Sequence, residues 1–397
     1  MTKDRLIIII GLIGLLTGLT CCSDDDDDRR PTPVTVRLSA YAAPYTDVEP
    51  TSRETRTWYP TGYMPYGELS NTGDLMKSNV RTPIGLYFTQ DGSDPLVRRF
   101  RPTAGENPDW LMEDSVAAGS YYIYGYVPYS GAEVANSVIE PFNNSYANGA
   151  VLTLRGINTV LSEDVCVVVG ATHGTKTGDD PAVPIPNPLP AGHFNSDFKA
   201  EGNYLFLLFD HLYAAMRFRF RVGDEYAKLR TIKVRKLELS AYQDEACTIP
   251  MKKVKTTVTL RANETGASPI VGDIEFTPDG NEDADTAVIC DRDTDPVLLP
   301  TGDNWSDCLG FAPKMATYFV LSTTYDVYDN NRTTEHPDGN LIRQGCVADN
   351  RLNLRSLFNS VNIRRGYMYT IKLTVEPTYL YMLSEPDLDN PTITVDG

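Results

Sequence analysis

The sequence predicts an all-β chain built as two tandem β-sandwiches. Three observations carry this. Apolar and polar residues alternate in segment after segment, the period of two that a strand with one buried face requires. The 23 tyrosines, with many Val, Thr and Ile residues, suit a pleated, half-buried surface. No segment reads as a long amphipathic helix.

The strands follow in order. Val34 to Ala40 (VTVRLSA) alternates and reads as a half-buried strand. Residues 41–80 are irregular, punctuated by Pro, Gly, Asn and Thr. Residues 83–89 (PIGLYFT) and 121–129 (YYIYGYVPY) come next, then 150–154 and 165–170. Residues 181–190 (PAVPIPNPLP) form a proline-rich extended loop. Residues 215–222 (AMRFRFRV) put Met216, Phe218, Phe220 and Val222 on one face and Arg217, Arg219 and Arg221 on the other. Residues 232–239 alternate again. These seven strands make one sandwich, and the first domain is expected at 34–245.

A second series, expected to form a domain at 246–397, begins with residues 254–260. It continues through the short apolar pieces 274–276, 288–289 and 297–299 to strands at 318–325 and 367–375. Residues 351–360 (RLNLRSLFNS) suit either a helical turn or a strand. The chain closes on YLYML (379–383), an acidic stretch, and a last extended strand with Ile393 and Val395 on one side. A terminal strand of this kind completes its own sheet or pairs with another chain's.

The N-terminus carries a different pattern. Lys3 and Arg5 precede the uncharged apolar run Leu6–Leu19. That run is shorter than the roughly 20 residues a spanning helix needs, and has the plan of a secretory signal. Leu19-Thr20-Cys21-Cys22 resembles a bacterial lipobox in which Cys22 is lipidated and residues 1–21 are the signal peptide. Cys21 stands where Gly, Ala or Ser is usual. The lipid is carried as a thioether, and more than one acyl chain makes such anchoring stable. Asp24 to Asp28 repel one another and stay solvated, so residues 22–33 form an acidic tether. Ser23 with this acidic run resembles the surface-export signal of some Gram-negative anaerobes, which implies an outer-membrane, surface-exposed protein.

Charge and motif content exclude several functions. A net charge of −17 argues against nucleic acid, whose binding needs a basic footprint. His173, His193, His211 and His336 fit no metalloprotease spacing. No nucleophile elbow or phosphate loop occurs. No enzymatic activity, cofactor or metal is therefore expected, and His211 reads as a structural hydrogen-bonder. Asp283, Asp285 and the DRDTD run 291–295 hold enough carboxylates for calcium. They lack the glycine and closing glutamate of an EF-hand and read as a solvated acidic loop. Trp58, Trp110 and Trp305 suit sugar stacking or anchoring of core and loops. Cys166, Cys247, Cys290, Cys308 and Cys346 show no CxxC pair, which leaves one or two disulfides or buried apolar thiols.

The lipobox with Ser-Asp-Asp, the Tyr-rich strand ending Pro128-Tyr129, Asp210-His211-Leu212 ahead of an apolar/basic strand, and the closing Tyr379-Leu-Tyr…Asp387-Leu-Asp-Asn-Pro391 tail together resemble the fimbrillins. These are the lipoprotein precursors of donor-strand (type V) pili. The resemblance implies two transthyretin-like, Greek-key sandwiches. It also implies an assembly mechanism. Val34, Val36, Leu38 and Ala40 would lie on a removable first strand. An arginine-specific protease would cut in the polar loop after it, at Arg53 or Arg56, where nicking concentrates. Ile393 and Val395, with Tyr379, Tyr381 and Leu383, would form the strand donated to the vacated groove of another subunit. The implied partners are other fimbrial subunits in a head-to-tail polymer, the outer membrane through the precursor's lipid, the protease, and a host or bacterial surface ligand. The implied location is the fimbrium after processing. Two rival readings are a non-polymerising surface lipoprotein that binds glycan or host protein, and a surface hydrolase.

Overall fold

The structure, a computed structural model, describes residues 33–42, 44–48, 64–65, 75, 82–103, 109–129, 137–175, 191–194, 202–262, 270–358, 363–379 and 386–396. Strands dominate it. The first half contains β1 (Pro33–Val34), β2 (Arg37–Ala42), β3 (Thr46–Val48), β4 (Met64–Pro65), β5 (Ile84–Thr89), β6 (Leu96–Pro102), β7 (Trp110–Met112), β8 (Val116–Ala117), β9 (Gly119–Val127), β10 (Val138–Pro141), β11 (Gly149–Ile157), β12 (Cys166–Gly174), β13 (Ala191–Phe194) and β14 (Tyr204–His211). Then come β15 (Ala214–Val222), α1 (Asp224–Ala227), β16 (Arg230–Tyr242), β17 (Lys252–Arg261), β18 (Ile270–Asp283), β19 (Ala287–Asp291), β20 (Val297–Leu298), β21 (Ser306–Ala312), β22 (Tyr318–Asp329), β23 (Leu341–Asn353), α2 (Leu354–Phe358), β24 (Tyr367–Tyr379) and β25 (Pro386–Asp396). The described part of the ambiguous segment, residues 351–358, divides between the end of β23 and a short helix.

In the first body the pairing runs β12-β14-β2-β7-β6-β5-β9 and returns to β12 through Cys166↔Val127 and Val167↔Tyr126. The interior of this closed sheet holds Leu38, Phe88, Phe100, Ile123, Leu207 and Phe209 among others. The outer face of β9 is covered too. Tyr121, Ile123 and Val127 fill the interior, while Tyr124 and Tyr126 join a larger core with Leu152, Leu154, Val254 and Val258. Those last residues sit on a separate sheet, β10-β11-β17-β18. It pairs β11 of the first half with β17 of the second, from Gly149↔Arg261 to Ile157↔Val254. Gly149 has φ +127, and a Cβ there would lie 2.0 Å from the Leu260 carbonyl oxygen, so only glycine fits this close approach.

The change of sheet falls at Leu212–Tyr213, between β14 and β15, and not near residue 245 as the strand count suggests. β15 pairs with β21 and, in parallel, with β24. β16 pairs with β19, β20 and β22. Both are strands of the second body, whose two sheets are β21-β15-β24-β25 and β19-β16-β22-β23. Alternation reveals which face of a strand is buried, not which neighbour it will find. The split face of β15 is as expected: Met216, Phe218, Phe220 and Val222 are buried, and the three arginines point away.

Candidate strand-exchange site

The first strand is built into the middle of the closed sheet. β2 runs parallel to β14, from Arg37↔Tyr204 to Ala42↔Phe209, and antiparallel to β7 at Arg37↔Leu111 and Leu38↔Trp110. The Met112 N–H donates to the Val36 carbonyl at 3.1 Å, and the Arg37 N–H to that of Asn203 at 3.3 Å. Val34, Val36, Leu38 and Ala40 are 2%, 0%, 0% and 3% exposed and share one interior cluster with Trp110, Leu205 and Phe209. The three larger side chains each contribute about 1.5–3 kcal/mol on burial. Without this strand, β14 and β7 would face an apolar slot with an unpaired row of backbone groups on each wall.

The segment is half-buried as far as Leu38, with Thr35 exposed and Arg37 partly so, but from Ser39 on both faces are buried. There the second face is covered by a polar cluster. Ser39 Oγ lies 2.5 Å from the Tyr204 hydroxyl, which donates to Asp109 Oδ1 at 2.5 Å; Ser39 Oγ also donates to Asp109 at 3.3 Å. Burial, with the Asp109 carboxylate beside it, pushes the Tyr204 phenol well above its ordinary range. Tyr41 packs with Tyr204 and Phe206 in the same place. Ser39 and Tyr41 carry polar atoms, so their burial left no apolar signature. Their partners are distant in sequence, and no local pattern points to Asp109 or Tyr204.

The chain then crosses to the second body. Tyr45 stacks on His211 with ring centroids 4.1 Å apart. The Thr46 N–H donates to the Gly366 carbonyl at 3.0 Å, and β3 lies parallel to the start of β24, Thr46↔Tyr367 to Val48↔Tyr369. One N-terminal segment therefore pairs with strands of both bodies.

The C-terminal strand occupies the same edge of β24 further along. β25 is antiparallel to it, with Leu373↔Val395 and Val375↔Ile393. Ile393 is buried in the larger core and Val395 packs against it. Asn350 Nδ2 donates to the Ile393 carbonyl at 2.6 Å. Tyr379 is the last residue of β24, opposite Pro386, and so does not share a strand with Ile393 and Val395. Cys22, Arg53, Arg56, Tyr381 and Leu383 lie outside the described residues, as do Trp58 and the loop 181–190.

The other singled-out residues have structural partners. Asp293 is paired with Arg235 at 2.7 Å, Asp283 with Lys252 at 2.5 Å and Asp285 with Lys253 at 3.2 Å. Trp110 is buried and donates its Nε1–H to the Thr82 carbonyl at 3.1 Å. Trp305 receives the Arg221 guanidinium 4.6 Å from its ring centroid. Cys166, Cys290, Cys308 and Cys346 are buried and Cys247 half-buried, and none of the five is in a disulfide. His211 is buried and bonded to Asp164.

No family model matches the sequence, and no curated relative does. Solved structures overlap with it at low identity. A candidate cell-adhesion protein of Bacteroides fragilis is 12% identical, with 91% of this chain and 96% of that one covered and a TM-score of 0.36. A fimbrial protein of Bacteroides vulgatus is 11% identical over 79% and 92%, with a TM-score of 0.27. A C-terminally truncated tip fimbrial protein of Porphyromonas gingivalis is 10% identical over 91% and 99%, with a TM-score of 0.24.

Proposed function

We propose that the chain is a fimbrial subunit, exported as a lipoprotein and assembled at the cell surface by strand exchange in support of adhesion. One observation carries this reading. Strand β2 is an interior strand of a closed sheet, and Val34, Val36, Leu38 and Ala40, on it and just ahead of it, are sealed in the core. An ordinary fold gains nothing from placing a cleavable terminus there; a polymer does, because removal creates a slot that β-augmentation can refill. The candidate occupant is the C-terminal segment of another copy, with Ile393 and Val395 in pockets. Such a head-to-tail contact is heterologous and makes open filaments. Cys22 is the proposed lipid attachment site, and Arg53 or Arg56 the proposed cut.

The test is the mature N-terminus of the surface protein together with its size in unboiled gel samples. A start at Glu54 or Thr57, with a detergent-resistant ladder that disappears on deleting residues 384–397, is expected. A lipidated Cys22 start with monomer alone would overturn polymerisation and favour a binding lipoprotein.

A further inference from the structure

At the closing seam of the first barrel, three side chains of metal-ligating type converge, outside the strand-exchange site. Asp164 lies two residues ahead of Cys166, the first residue of β12. His211 ends β14, directly opposite Cys166 in the ladder. Their donor atoms form a triangle. Asp164 Oδ2 is 2.7 Å from His211 Nδ1 and 3.2 Å from Cys166 Sγ, and Sγ is 3.4 Å from Nδ1. Asp164, Cys166 and His211 are 0%, 0% and 1% exposed.

A thiol, an imidazole and a carboxylate are a ligand set that zinc accepts. Metal–ligand bonds of about 2.0–2.3 Å in tetrahedral geometry hold ligand atoms roughly 3.4–3.6 Å apart. Widening the triangle by ~0.2–0.7 Å per edge therefore admits the ion. Charge points the same way. Carboxylate plus thiolate carry two negative charges, which a dication cancels in a place where buried charge is otherwise costly. One carboxylate, one thiolate and one imidazole fill three positions of a four-coordinate shell. The Tyr45 ring lies over His211 and keeps water off it. We propose that Asp164, Cys166 and His211 bind one thiophilic divalent cation of the zinc class. Binding sends the thiol proton to solvent and shifts the imidazole proton from Nδ1 to Nε2, freeing Nδ1 to ligate, so uptake weakens in acid.

Cobalt(II) chloride is the probe, because cobalt occupies zinc-type sites and reports thiolate ligation through a near-ultraviolet charge-transfer band. The full chain is expressed in cobalt-supplemented medium, so that the ion is present as the barrel closes. One cobalt per chain with that band is expected, with the band lost in Cys166→Ser, retained in Cys247→Ser and abolished by zinc competition. His211→Gln serves if Cys166→Ser does not fold. A folded chain without cobalt, cobalt bound without the thiolate band, or a band surviving both Cys166→Ser and His211→Gln would each overturn the proposal.

Discussion

Leu38 illustrates how much one side chain of the first strand carries. It is fully buried between Trp110 of β7 and Leu205 of β14 in the ladder, so Leu38→Ala leaves a cavity that the closed sheet cannot easily collapse. The expected cost is about 2–5 kcal/mol, read as a lower urea midpoint at unchanged slope. A loss below about 0.5 kcal/mol, the range of ordinary surface changes, would mean that the strand is not packed as described. Gly125 is constrained in another way. A Cβ there would lie 2.3 Å from the Gly85 carbonyl oxygen. Gly125→Ala is therefore expected to destabilise by roughly 1–3 kcal/mol, and an unchanged melting temperature would contradict it. Asp329 gives a pH prediction. Its carboxylate accepts from the side chain and N–H of Asn340 at 3.0 and 2.7 Å and from Asn331, which holds its pKa down at about 2. Because the folded value is depressed, the stabilisation is fully present above the ordinary 3.8 and is lost as pH falls through about 2. A carboxyl chemical-shift titration of Asp329 should show the low midpoint; a midpoint near 3.8 would remove the claim.

At the scale of elements, β15 shows what alternation encodes well. Two of the three arginines on its cationic face are held by one carboxylate. Asp307 of β21 accepts from Arg217 at 2.9 and 2.5 Å and from Arg219 at 2.9 Å. Asp307→Ala leaves two guanidiniums facing each other over a mostly covered surface, and a loss of about 1–3 kcal/mol in chemical denaturation is expected. No change would mean that solvent already satisfies both arginines. The parity of this strand was legible because apolar side chains at 216, 218, 220 and 222 alternate with arginines at 217, 219 and 221. The parity of Val34, Val36, Leu38 and Ala40, and of Ile393 and Val395, was legible because polar residues separate them. Membership was not. β15 and β16 look like the strands before them, and only long-range pairing assigns them to the second body. The polar cover of β2 was also hidden, since Ser39 meets Tyr204 across 165 residues. Asp164 and Cys166 are near neighbours in sequence, yet His211, 47 residues beyond Asp164, enters only through the β12–β14 ladder.

For the whole molecule, the N-terminal segment is held by both bodies at once. Cutting the native chain with an arginine-specific protease in the loop after β3 should yield two fragments on a denaturing gel that still co-elute in native size-exclusion chromatography. Spontaneous loss of the N-terminal fragment would show that packing alone cannot retain it. The same arrangement has a mechanical meaning. Whatever strand fills the β2 position lies alongside β14, and the six register pairs between them are strained together when the occupant is pulled lengthwise. From β14 the tension passes through two residues of covalent chain into β15, across a second parallel ladder of eight pairs into β24, and out through β25. A pull on the molecule is thus met by two parallel ladders whose hydrogen bonds share the load.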